Sequence, residues 1–437
     1  MPKVIKEGVG VQNFEPVQQN FTIMGEDWKT EVSKCSKCGK CHTVCPVFLE
    51  TGDESMVSRG RISLAEALRD QQIVYTNKLR DYVYSCKKCM RCRQVCPSGV
   101  DYEIIISALL RGVAENMGIP LLPKIIFRYI LPRRILFDTM LKVSSKIQRF
   151  IPVKKRGQMR HLPLLFMGKR WIPTLAKKTA LQRFRNTKKI KNPRMRVGLF
   201  TGCLINYIYV DIAEAVVDVL NRMNIEVFVP QGQLCCGTPS SSMGDVKSSK
   251  KLAEVNRKVF EAQGLDAIVT ACATCTKTIK MDYLRTLGPS WKTMSDKIYD
   301  ISEFIDKYCG DKYETKPIEE KVTYHDPCHL LWVRGISDEP RNVLKKSSNF
   351  VEMDMAGSCC GGGGIFTIIH YDLTLKMLER KVASIERSGA DTVATNCPGC
   401  VMQIADGFAG KNSKIKTTHS IQILQKALAN GNIDREK

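Results

Sequence analysis

Strand-like and helix-like patterns alternate along the chain from residue 194 onward. Short apolar runs typical of buried strands are separated by longer segments whose apolar residues recur three and four positions apart, as in amphipathic helices. In the first copy of this pattern the predicted strands are 197–201, 225–230 and 266–271, and the predicted helices are 212–223 and 251–262. In the second copy the predicted strands are 322–325, 350–353 and 391–396, and the predicted helix is 373–388. Such alternation predicts parallel sheets in two duplicated α/β units.

The N-terminal part of the chain has helical patterning instead. In residues 62–68, for example, apolar side chains recur at intervals of three and four. We therefore predict a multidomain α+β protein, in which a helical domain precedes the duplicated α/β domain with parallel sheets. The predicted boundaries are 1–115 for the helical domain, 116–193 for a connecting segment, 194–316 for the first α/β half and 317–437 for the second.

The connecting segment carries nearly all of the net charge of the chain. Residues 120–196 contain 22 Lys and Arg residues and one acid, Asp138, whereas the whole chain has a net charge of +23. Apolar runs such as 125–127 and 135–137 interrupt the charge, and prolines divide the stretch into predicted short basic helices. Two interpretations are open. The segment docks on an anionic membrane surface or an acidic partner protein, or its apolar residues pack on the neighbouring domains. Nucleic acid is not an expected partner, because no nucleic-acid-binding motif accompanies the charge.

Length and composition are those of an ordinary globular protein. The 437 residues suffice for two or three domains. No apolar run approaches the roughly 20 residues of a membrane-spanning helix, and residues 1–19 lack the apolar core of a secretory signal. Nineteen cysteines in such a chain favour metal binding over disulfides. The expected location is the cytoplasm, with peripheral attachment to the inner face of the membrane through segment 120–196 as an open alternative.

Eight cysteines form a duplicated C-x2-C-x2-C-x3-C-P pattern. The two copies are Cys35, Cys38, Cys41, Cys45 and Cys86, Cys89, Cys92, Cys96. In two-cluster ferredoxins with this spacing, three close thiolates bind one 4Fe-4S cubane and the fourth, before proline, binds the other. The rule predicts one cluster on Cys35, Cys38, Cys41 and Cys96, and a second on Cys86, Cys89, Cys92 and Cys45. Zinc sites use pairs of ligands, so the spacing disfavours zinc. Full cysteine ligation leaves no open position for substrate, which predicts electron relay.

Ten further cysteines form two sets of a second pattern, each with a lone Cys, a Cys-Cys-Gly and a C-x2-C. The sets are Cys203, Cys235, Cys236, Cys272, Cys275 and Cys328, Cys359, Cys360, Cys397, Cys400. The lone cysteine and the pair are separated by 31 and 30 residues, and the pair and the C-x2-C by 35 and 36. All ten follow predicted strands, and ligands of parallel sheets gather beyond the carboxyl ends of the strands. We therefore expect the two halves to face each other with their cysteines at the shared surface.

The two sets resemble the Cys-Cys-Gly domain of heterodisulfide reductase catalytic subunits and of the iron-sulfur subunits of glycolate and lactate dehydrogenases. The likeness covers nearly the whole chain in the same order. The resemblance to the glycolate oxidase iron-sulfur subunit is carried by residues 58–62, Thr201–Cys203, Tyr324–His329 and Cys397–Ile404. Many of those subunits have lost a cysteine from one or both sets, whereas this chain keeps all ten, as heterodisulfide reductases do.

The resemblance implies an iron-sulfur electron-transfer subunit of a multi-subunit oxidoreductase. It would take electrons from a flavoprotein that oxidises a 2-hydroxy acid, lactate or glycolate, and pass them toward a quinone or another carrier at the membrane. The implied cofactors are two cubane 4Fe-4S clusters and one or two further 4Fe-4S clusters in the Cys-Cys-Gly sets. FAD is expected only on a partner dehydrogenase subunit, because no G-x-G-x-x-G follows a predicted strand.

Two alternatives to this function stay open. The complete cysteine sets imply, for the reductase family, a noncubane cluster that cleaves disulfides, so a heterodisulfide reductase-type catalytic subunit is the main alternative. A generic electron-transfer adaptor without its own substrate is the other. No catalytic residue is assigned. His325 and His329 bracket Cys328 and either act as outer neighbours of a cluster or pack at the end of a strand. Cys309 stands outside both patterns and is expected to be a small buried hydrophobe.

Overall fold

The structure, a computed structural model, describes residues 27–147, 159–161, 170–186, 189–310, 313–411 and 413–431. A helical N-terminal region is followed by two four-stranded parallel sheets, as the sequence predicted. Among these described ranges, no single helix is long and apolar enough to cross a membrane. Helix Tyr102–Asn116 and the helical stretch Leu121–Ile130 meet that criterion only when taken together, across a bend of 100°.

The N-terminal region consists of short helices around one longer helix. They are α1 (Asp27–Ser33), α2 (Phe48–Thr51), α3 (Ser58–Arg69), α4 (Asn77–Tyr84), α5 (Arg91–Gln94) and α6 (Tyr102–Asn116), with 3-10 turns at Lys40–Thr43 and Glu54–Met56. Helix α6 begins where the side chain of Asp101 accepts a hydrogen bond from the backbone N–H of Glu103. Its buried face, which includes Ile105, Leu109 and Val113, forms the centre of this region.

The connecting segment contains the predicted short helices. Its elements are α7 (Leu121–Ile125), a π-helical turn (Ile126–Ile130), α8 (Arg134–Ile147), β1 (Met159–His161), β2 (Trp171–Pro173) and α9 (Ala180–Arg183). Pro120 precedes α7 and Pro132 separates the π-turn from α8, because proline cannot continue a regular helix beyond its first turn. Strands β1 and β2 pair antiparallel. The basic run Lys154–Arg156 and the apolar run 162–166 lie outside the described residues.

The first α/β half begins directly after this segment. Its strands are β3 (Met195–Leu199), β4 (Ile225–Phe228), β5 (Ala267–Thr270) and β6 (Ile298–Asp300). Its helices are α10 (Gly202–Tyr207), α11 (Val210–Arg222), α12 (Thr238–Ser241), α13 (Val246–Glu261), α14 (Ala273–Lys277), α15 (Tyr283–Leu287), α16 (Lys292–Asp296) and α17 (Ile301–Tyr308). A π-helical turn (Thr278–Asp282) joins α14 to α15, and a 3-10 turn (Pro289–Trp291) precedes α16.

The second half repeats this order. Its strands are β7 (Ile318–Tyr324), β8 (Ser348–Phe350), β9 (Thr392–Thr395) and β10 (Lys416–His419). Its helices are α18 (Cys328–Arg334), α19 (Asp338–Ser347), α20 (Ile365–Ile369), α21 (Tyr371–Arg387), α22 (Pro398–Lys411) and α23 (Ser420–Gly431). The strand order is β4-β3-β5-β6 in the first sheet and β8-β7-β9-β10 in the second, with all neighbours parallel. The two sheets therefore have the same topology, which is the outcome expected of a duplication.

The two halves contact each other directly at the ends of their third strands. After β5, the backbone N–H of Ala273 donates to the carbonyl oxygen of Asn396, which follows β9, over 3.0 Å. On the flank, helix α23 packs on α11, where Gln422 donates to Asp211 over 2.8 Å. Because parallel strands end at one edge of a sheet, this contact brings the cysteines of both halves to one interface.

Candidate metal centres

The first ferredoxin-like site contains the four thiols expected from the crossover rule. Cys35, Cys38, Cys41 and Cys96 line one pocket, which Cys92 of the second set also borders. Burial raises the pKa of the Cys35 thiol, and the neighbouring Cys41, Cys96 and Cys38 raise it further. The site lies close to the surface, since Cys38 is exposed.

The second site lies deeper and contains the other four thiols of the repeat. Cys45, Cys86, Cys89 and Cys92 line a second pocket. Burial and the neighbouring thiols raise the pKa of Cys92, and burial raises the pKa of Cys89 to about 12. Four sulfur donors around one cavity match the donor set of a cubane cluster in both places.

Both ligand loops fold in the same unusual way. Lys37 and Lys88, two residues after the first cysteine of each set, have φ of 55° and 51°. Gly39 and Met90, one residue after the second cysteine, have φ of 81° and 59°. In each loop, two residues with positive φ therefore stand two positions apart. A backbone of this kind directs successive N–H groups toward the same side of the loop, and N–H groups arranged in this way bind anions. In the second loop the N–H of Lys88 already donates to the Sγ of Cys86 over 3.4 Å.

Buried polar side chains close the space between the two sites. Tyr102 lines both cavities, and its hydroxyl lies 3.8 Å from the Sγ of Cys86. Arg61, which is 1% exposed, donates to the Tyr82 carbonyl and to the Ser85 hydroxyl, both over 2.7 Å. A buried cation at this position offsets the negative charge of thiolates bound to a cluster.

Eight of the ten Cys-Cys-Gly cysteines form a connected set that crosses from one half to the other, and the remaining two, Cys328 and Cys359, lie near Cys360. In the first half, Cys203 contacts Cys235, which contacts Cys236, and the chain of contacts continues through Cys275 to Cys272. Cys272 contacts Cys397 of the second half, followed by Cys400 and Cys360. The structure thus places the cysteines of both halves at their shared surface.

The pKa values of three of these thiols are lowered well below the ordinary value of a cysteine. The pKa of Cys236 is lowered well below its usual value by a hydrogen bond from Cys235, that of Cys397 by one from Cys272, and that of Cys360 by one from Cys400. Since the thiolate is the form that binds metal, thiols that donate to their neighbours prepare the set for a cluster.

Glycines permit the close approach of the backbone in both halves. Gly361, in the second Cys-Cys-Gly, has φ of 81°, and a Cβ there would lie 2.5 Å from the carbonyl oxygen of Thr374. Gly202, before the lone cysteine of the first set, has φ of 61°, and a Cβ there would lie 2.9 Å from the Sγ of Cys275. A side chain at either position would displace the segment that carries the cysteines.

The second ferredoxin-like site adjoins the second half. Among charged neighbours, Cys359 has the largest effect on the pKa of Cys89, and Cys89 in turn raises the pKa of Cys328. Two side chains hold the contact: Lys87 donates to the Gly361 carbonyl over 2.7 Å, and Gln94 donates to the Trp332 carbonyl over 2.6 Å. Cysteine sites therefore follow one another from the exposed Cys38 into the interface of the halves.

The two histidines expected near the second set have different surroundings. His325 is 1% exposed, and its ring lies with the sulfurs of Cys360 and Cys400 so that the donor atoms are within 4.8 Å of one another. At the same position relative to β3, the first half has the apolar Phe200. His329 joins three parts of the chain, since Nδ1 lies 3.1 Å from the Thr274 hydroxyl and Nε2 lies 3.3 Å from the Lys88 carbonyl oxygen. Only His325 thus lies against thiols of the second set.

Two buried lysines near the cysteines were missed by sequence reasoning. Lys381 donates to the carbonyls of Met355 and Ala356 over 2.6 and 3.1 Å, and burial lowers its pKa to about 8 even though thiols such as Cys360 lie near it. Lys277, two residues after Cys275, forms ion pairs with Glu103 of α6 and with Asp282, the latter at 2.6 Å. No local pattern marks either lysine, because Glu103, the buried partner of Lys277, and the carbonyls that accept from Lys381 lie in distant parts of the chain.

Glu103 is the centre of the contact between the helical region and the first half. Its side chain is 1% exposed and also pairs with Arg285 at 2.8 Å. Burial alone would raise the pKa of Glu103, but Lys277 and Arg285 lower it well below its usual range. The network fixes α6 against the segment that carries Cys275. Cys309, outside both cysteine patterns, is 1% exposed and packs in the core, as expected.

Comparison with known proteins agrees with this arrangement. The family model described as a cysteine-rich domain matches residues 197–280 and 322–405, and the 4Fe-4S dicluster domain model matches residues 31–100. The chain is therefore an iron-sulfur electron-transfer subunit that joins a dicluster domain to two Cys-Cys-Gly domains, and it is a component of an oxidoreductase.

Three relatives extend over most of the chain. The chain is 30% identical to the probable glycolate oxidase iron-sulfur subunit of Bacillus subtilis, over 91% of this chain and 94% of that protein. It is 29% identical to one of the subunits of the fumarate reductase (CoM/CoB) of Methanothermobacter marburgensis, over 96% of this chain and 76% of that protein. It is 27% identical to one of the subunits of the dihydromethanophenazine:CoB–CoM heterodisulfide reductase of Methanosarcina acetivorans, over 91% of this chain and 94% of that protein. The chain belongs to the family of the glycolate oxidase iron-sulfur subunit.

Proposed function

We propose that this chain carries electrons from an FAD-dependent dehydrogenase that oxidises a 2-hydroxy acid, glycolate or lactate, toward a quinone or another carrier. Oxidation of the hydroxy acid to the 2-oxo acid releases two electrons and two protons at the partner. The observation that carries the proposal is the succession of cysteine sites from Cys38 through Cys89 and Cys359 to Cys397 and Cys272. Such a succession suits a protein that transfers electrons between two partners.

The sites are proposed to hold 4Fe-4S clusters. Cys35, Cys38, Cys41 and Cys96 would hold one cubane and Cys86, Cys89, Cys92 and Cys45 the other. The ten Cys-Cys-Gly cysteines would hold one or two further clusters. When bound, such clusters accept and release single electrons.

The remaining residues of the chain position and shield these sites. Arg61 and Lys381 place buried positive charge beside the thiols. Tyr102 fills the space between the two ferredoxin-like sites and keeps water from it. The Glu103 network holds the helical region against the first half, so that the distance between successive sites is fixed.

A second function has a specific observation in its favour. All ten Cys-Cys-Gly cysteines are present, eight of them in one chain of contacts, and His325 lies only against the second set. A complete set is the arrangement expected of a disulfide-cleaving centre, and one of the relatives belongs to a heterodisulfide reductase. In that case the two ferredoxin-like sites would supply the two electrons that convert one disulfide and two protons to two thiols.

The cofactor and partner proposals are tested together by anaerobic isolation from the native host. We expect the isolate to contain an FAD-bearing dehydrogenase subunit, and this chain to contain roughly 16 iron atoms if every set holds a 4Fe-4S unit. About eight iron atoms per chain, all in cubanes, would contradict clusters in the Cys-Cys-Gly sets. An isolate without flavin would contradict the dehydrogenase partner.

A further inference from the structure

The outward face of the α7–α8 pair is apolar, although it is one of the most exposed surfaces of the described chain. Leu121 is 73% exposed, Leu122 69% and Ile135 84%. The large apolar residues exposed on this pair are Leu121, Leu122, Ile125, Tyr129, Ile135, Leu136, Met140 and Val143. We call these eight side chains the apolar face. Spacings of three and four residues place Leu122, Ile125 and Tyr129 on one side of the first helical stretch and Leu136, Met140 and Val143 on one side of α8. An exposed apolar surface of this kind on a folded protein marks an interaction site.

The opposite side of the same helices fixes their orientation. Phe127 and Leu131 are buried, and Phe137 packs edge-on against the ring of Tyr207 with a centroid distance of 4.9 Å. Arg134 donates to the Gln233 carbonyl over 2.6 Å. The apolar residues of the segment are thus divided between an inner side that packs on the first half and the apolar face, which cannot turn inward without breaking these contacts.

Positive charge borders the apolar face. Lys124, Arg133, Lys142 and Lys146 are exposed, and among the described residues none of them forms an ion pair with a carboxylate. On α8, Lys142 and Lys146 lie on the side of the helix that carries Ile135, because residues seven and eleven apart share a side, and Lys146 is three residues from Val143. The two acids nearby are already occupied, since Asp245 pairs with Arg128 and Asp138 pairs with Arg134, both at 3.3 Å.

We propose that the apolar face and the four cations that border it bind an anionic membrane surface, with α7 and α8 lying in the plane of the interface. Apolar burial and attraction to anionic lipid add in such helices. Six of the eight apolar side chains are aliphatic, and three of the four cations are Lys. Protein interfaces instead favour aromatic residues, Met and Arg and are depleted of Lys, so these side chains suit lipid better than a partner protein. The inference is independent of the proposed electron donor.

Co-sedimentation of the anaerobically prepared holoprotein with vesicles tests this inference. We expect binding to vesicles of phosphatidylcholine with 30% phosphatidylglycerol (roughly physiological negative charge) and weaker binding as salt increases. Pure phosphatidylcholine vesicles should bind much less. A triple variant, Leu121→Ser, Ile135→Ser and Val143→Ser, should lose binding to both kinds of vesicle.

A charge variant and a matched control distinguish the effect of the four cations beside the apolar face from the effect of the net charge of the protein. The variant replaces Lys124, Arg133, Lys142 and Lys146 by Gln, and the control replaces four exposed lysines in the C-terminal part of the chain, Lys316, Lys376, Lys414 and Lys426, by Gln. Each basic residue near an anionic surface contributes roughly fivefold to binding. We therefore expect affinity for the anionic vesicles to fall by roughly 100-fold or more in the variant and by less than about threefold in the control.

Four results would overturn the proposal. Wild-type holoprotein that does not sediment with anionic vesicles would refute it, and so would unchanged binding by the triple Ser variant. Equal losses in the charge variant and in its control would show that net charge alone attracts the vesicles. Binding of a dehydrogenase partner that requires the apolar face, without vesicle binding, would assign this surface to a protein instead. The cluster absorbance and far-UV circular dichroism of each variant confirm that it is folded.

Discussion

Replacing Glu103 by Gln should loosen the helical region from the first half. Breaking a buried ion pair by removing one partner is destabilising by about 3–5 kcal/mol. Lys277 keeps Asp282 at 2.6 Å after the change, so it is not left unpaired. Arg285 is 24% exposed and can be solvated. We therefore expect the lower end of this range, about 3 kcal/mol, for the local opening free energy.

Native-state hydrogen exchange of the anaerobic holoprotein measures this free energy. Amides of α6 and of residues 273–287 should exchange roughly 100-fold faster in the Gln variant, since about 1.4 kcal/mol corresponds to a factor of ten. The control is Asp296→Asn, which removes the exposed pair with Lys292 on α16 and should change the opening free energy by about 0.5 kcal/mol or less.

The pH dependence supplies a second test of the same network. The pKa of Glu103 is lowered in the folded protein, so its contribution to stability is complete above the ordinary glutamate value of 4.5 and is lost as the pH falls through the lowered value. In the Glu103→Gln variant, this fall in stability at low pH should be absent. Exchange rates no faster in the Gln variant than in the Asp296→Asn control, or an unchanged pH dependence, would refute the reasoning.

Three further predictions concern the cysteine sites. Cys45→Ser should alter the electron paramagnetic resonance signal of the cluster held by the second ferredoxin set and leave that of the first, whereas Cys96→Ser should do the reverse; the opposite pattern would disprove the crossover. His325→Phe, which introduces the residue found as Phe200 in the first half, should shift the signal or potential of a Cys-Cys-Gly cluster, and spectra identical to wild type would assign His325 to packing alone. Gly361→Ala should lower iron content at the second Cys-Cys-Gly set, because the added Cβ would lie 2.5 Å from a backbone oxygen; normal iron content and an unchanged melting temperature would contradict the steric argument.

Strands that are marked by a pattern within a short stretch of the chain were predictable from the sequence. Strands β3, β4, β5, β7 and β9 fall within one to four residues of their predicted bounds, because each is an apolar run followed by a helix. Strand β8 was expected at 350–353 but occupies Ser348–Phe350, since Ser348 pairs with Ile318 of β7. The placement of Cys96 beside the first set and of Cys45 beside the second was predictable as well, because it follows from the spacing rule.

Both edge strands that follow the third strand of each sheet were missed. Strand β6 has only three residues, too few for a detectable alternation. Strand β10 has the sequence Lys-Thr-Thr-His and contains no aliphatic residue, so its pairing with β9 and not its own pattern makes it a strand.

Contacts between distant segments could not be read from local sequence. The contact of Cys272 with Cys397 and the proximity of Cys89 to Cys359 depend on how three folded units meet. In the connecting segment, too, the local sequence did not determine which apolar residues are buried. Packing on the neighbouring domains and docking on a partner were competing interpretations of these residues, and the structure divides them between a buried inner side and an exposed outer side.

The most direct test of the central claim is a spectroscopic titration of the complex isolated anaerobically from the native host. Glycolate, lactate or a disulfide is added while the visible absorbance of the iron-sulfur clusters is recorded. The proposed function predicts that one of the hydroxy acids bleaches the clusters and that flavin is present in the isolate. No bleaching by either acid, together with reoxidation of reduced clusters by the disulfide, would contradict it and place this chain with the disulfide reductases.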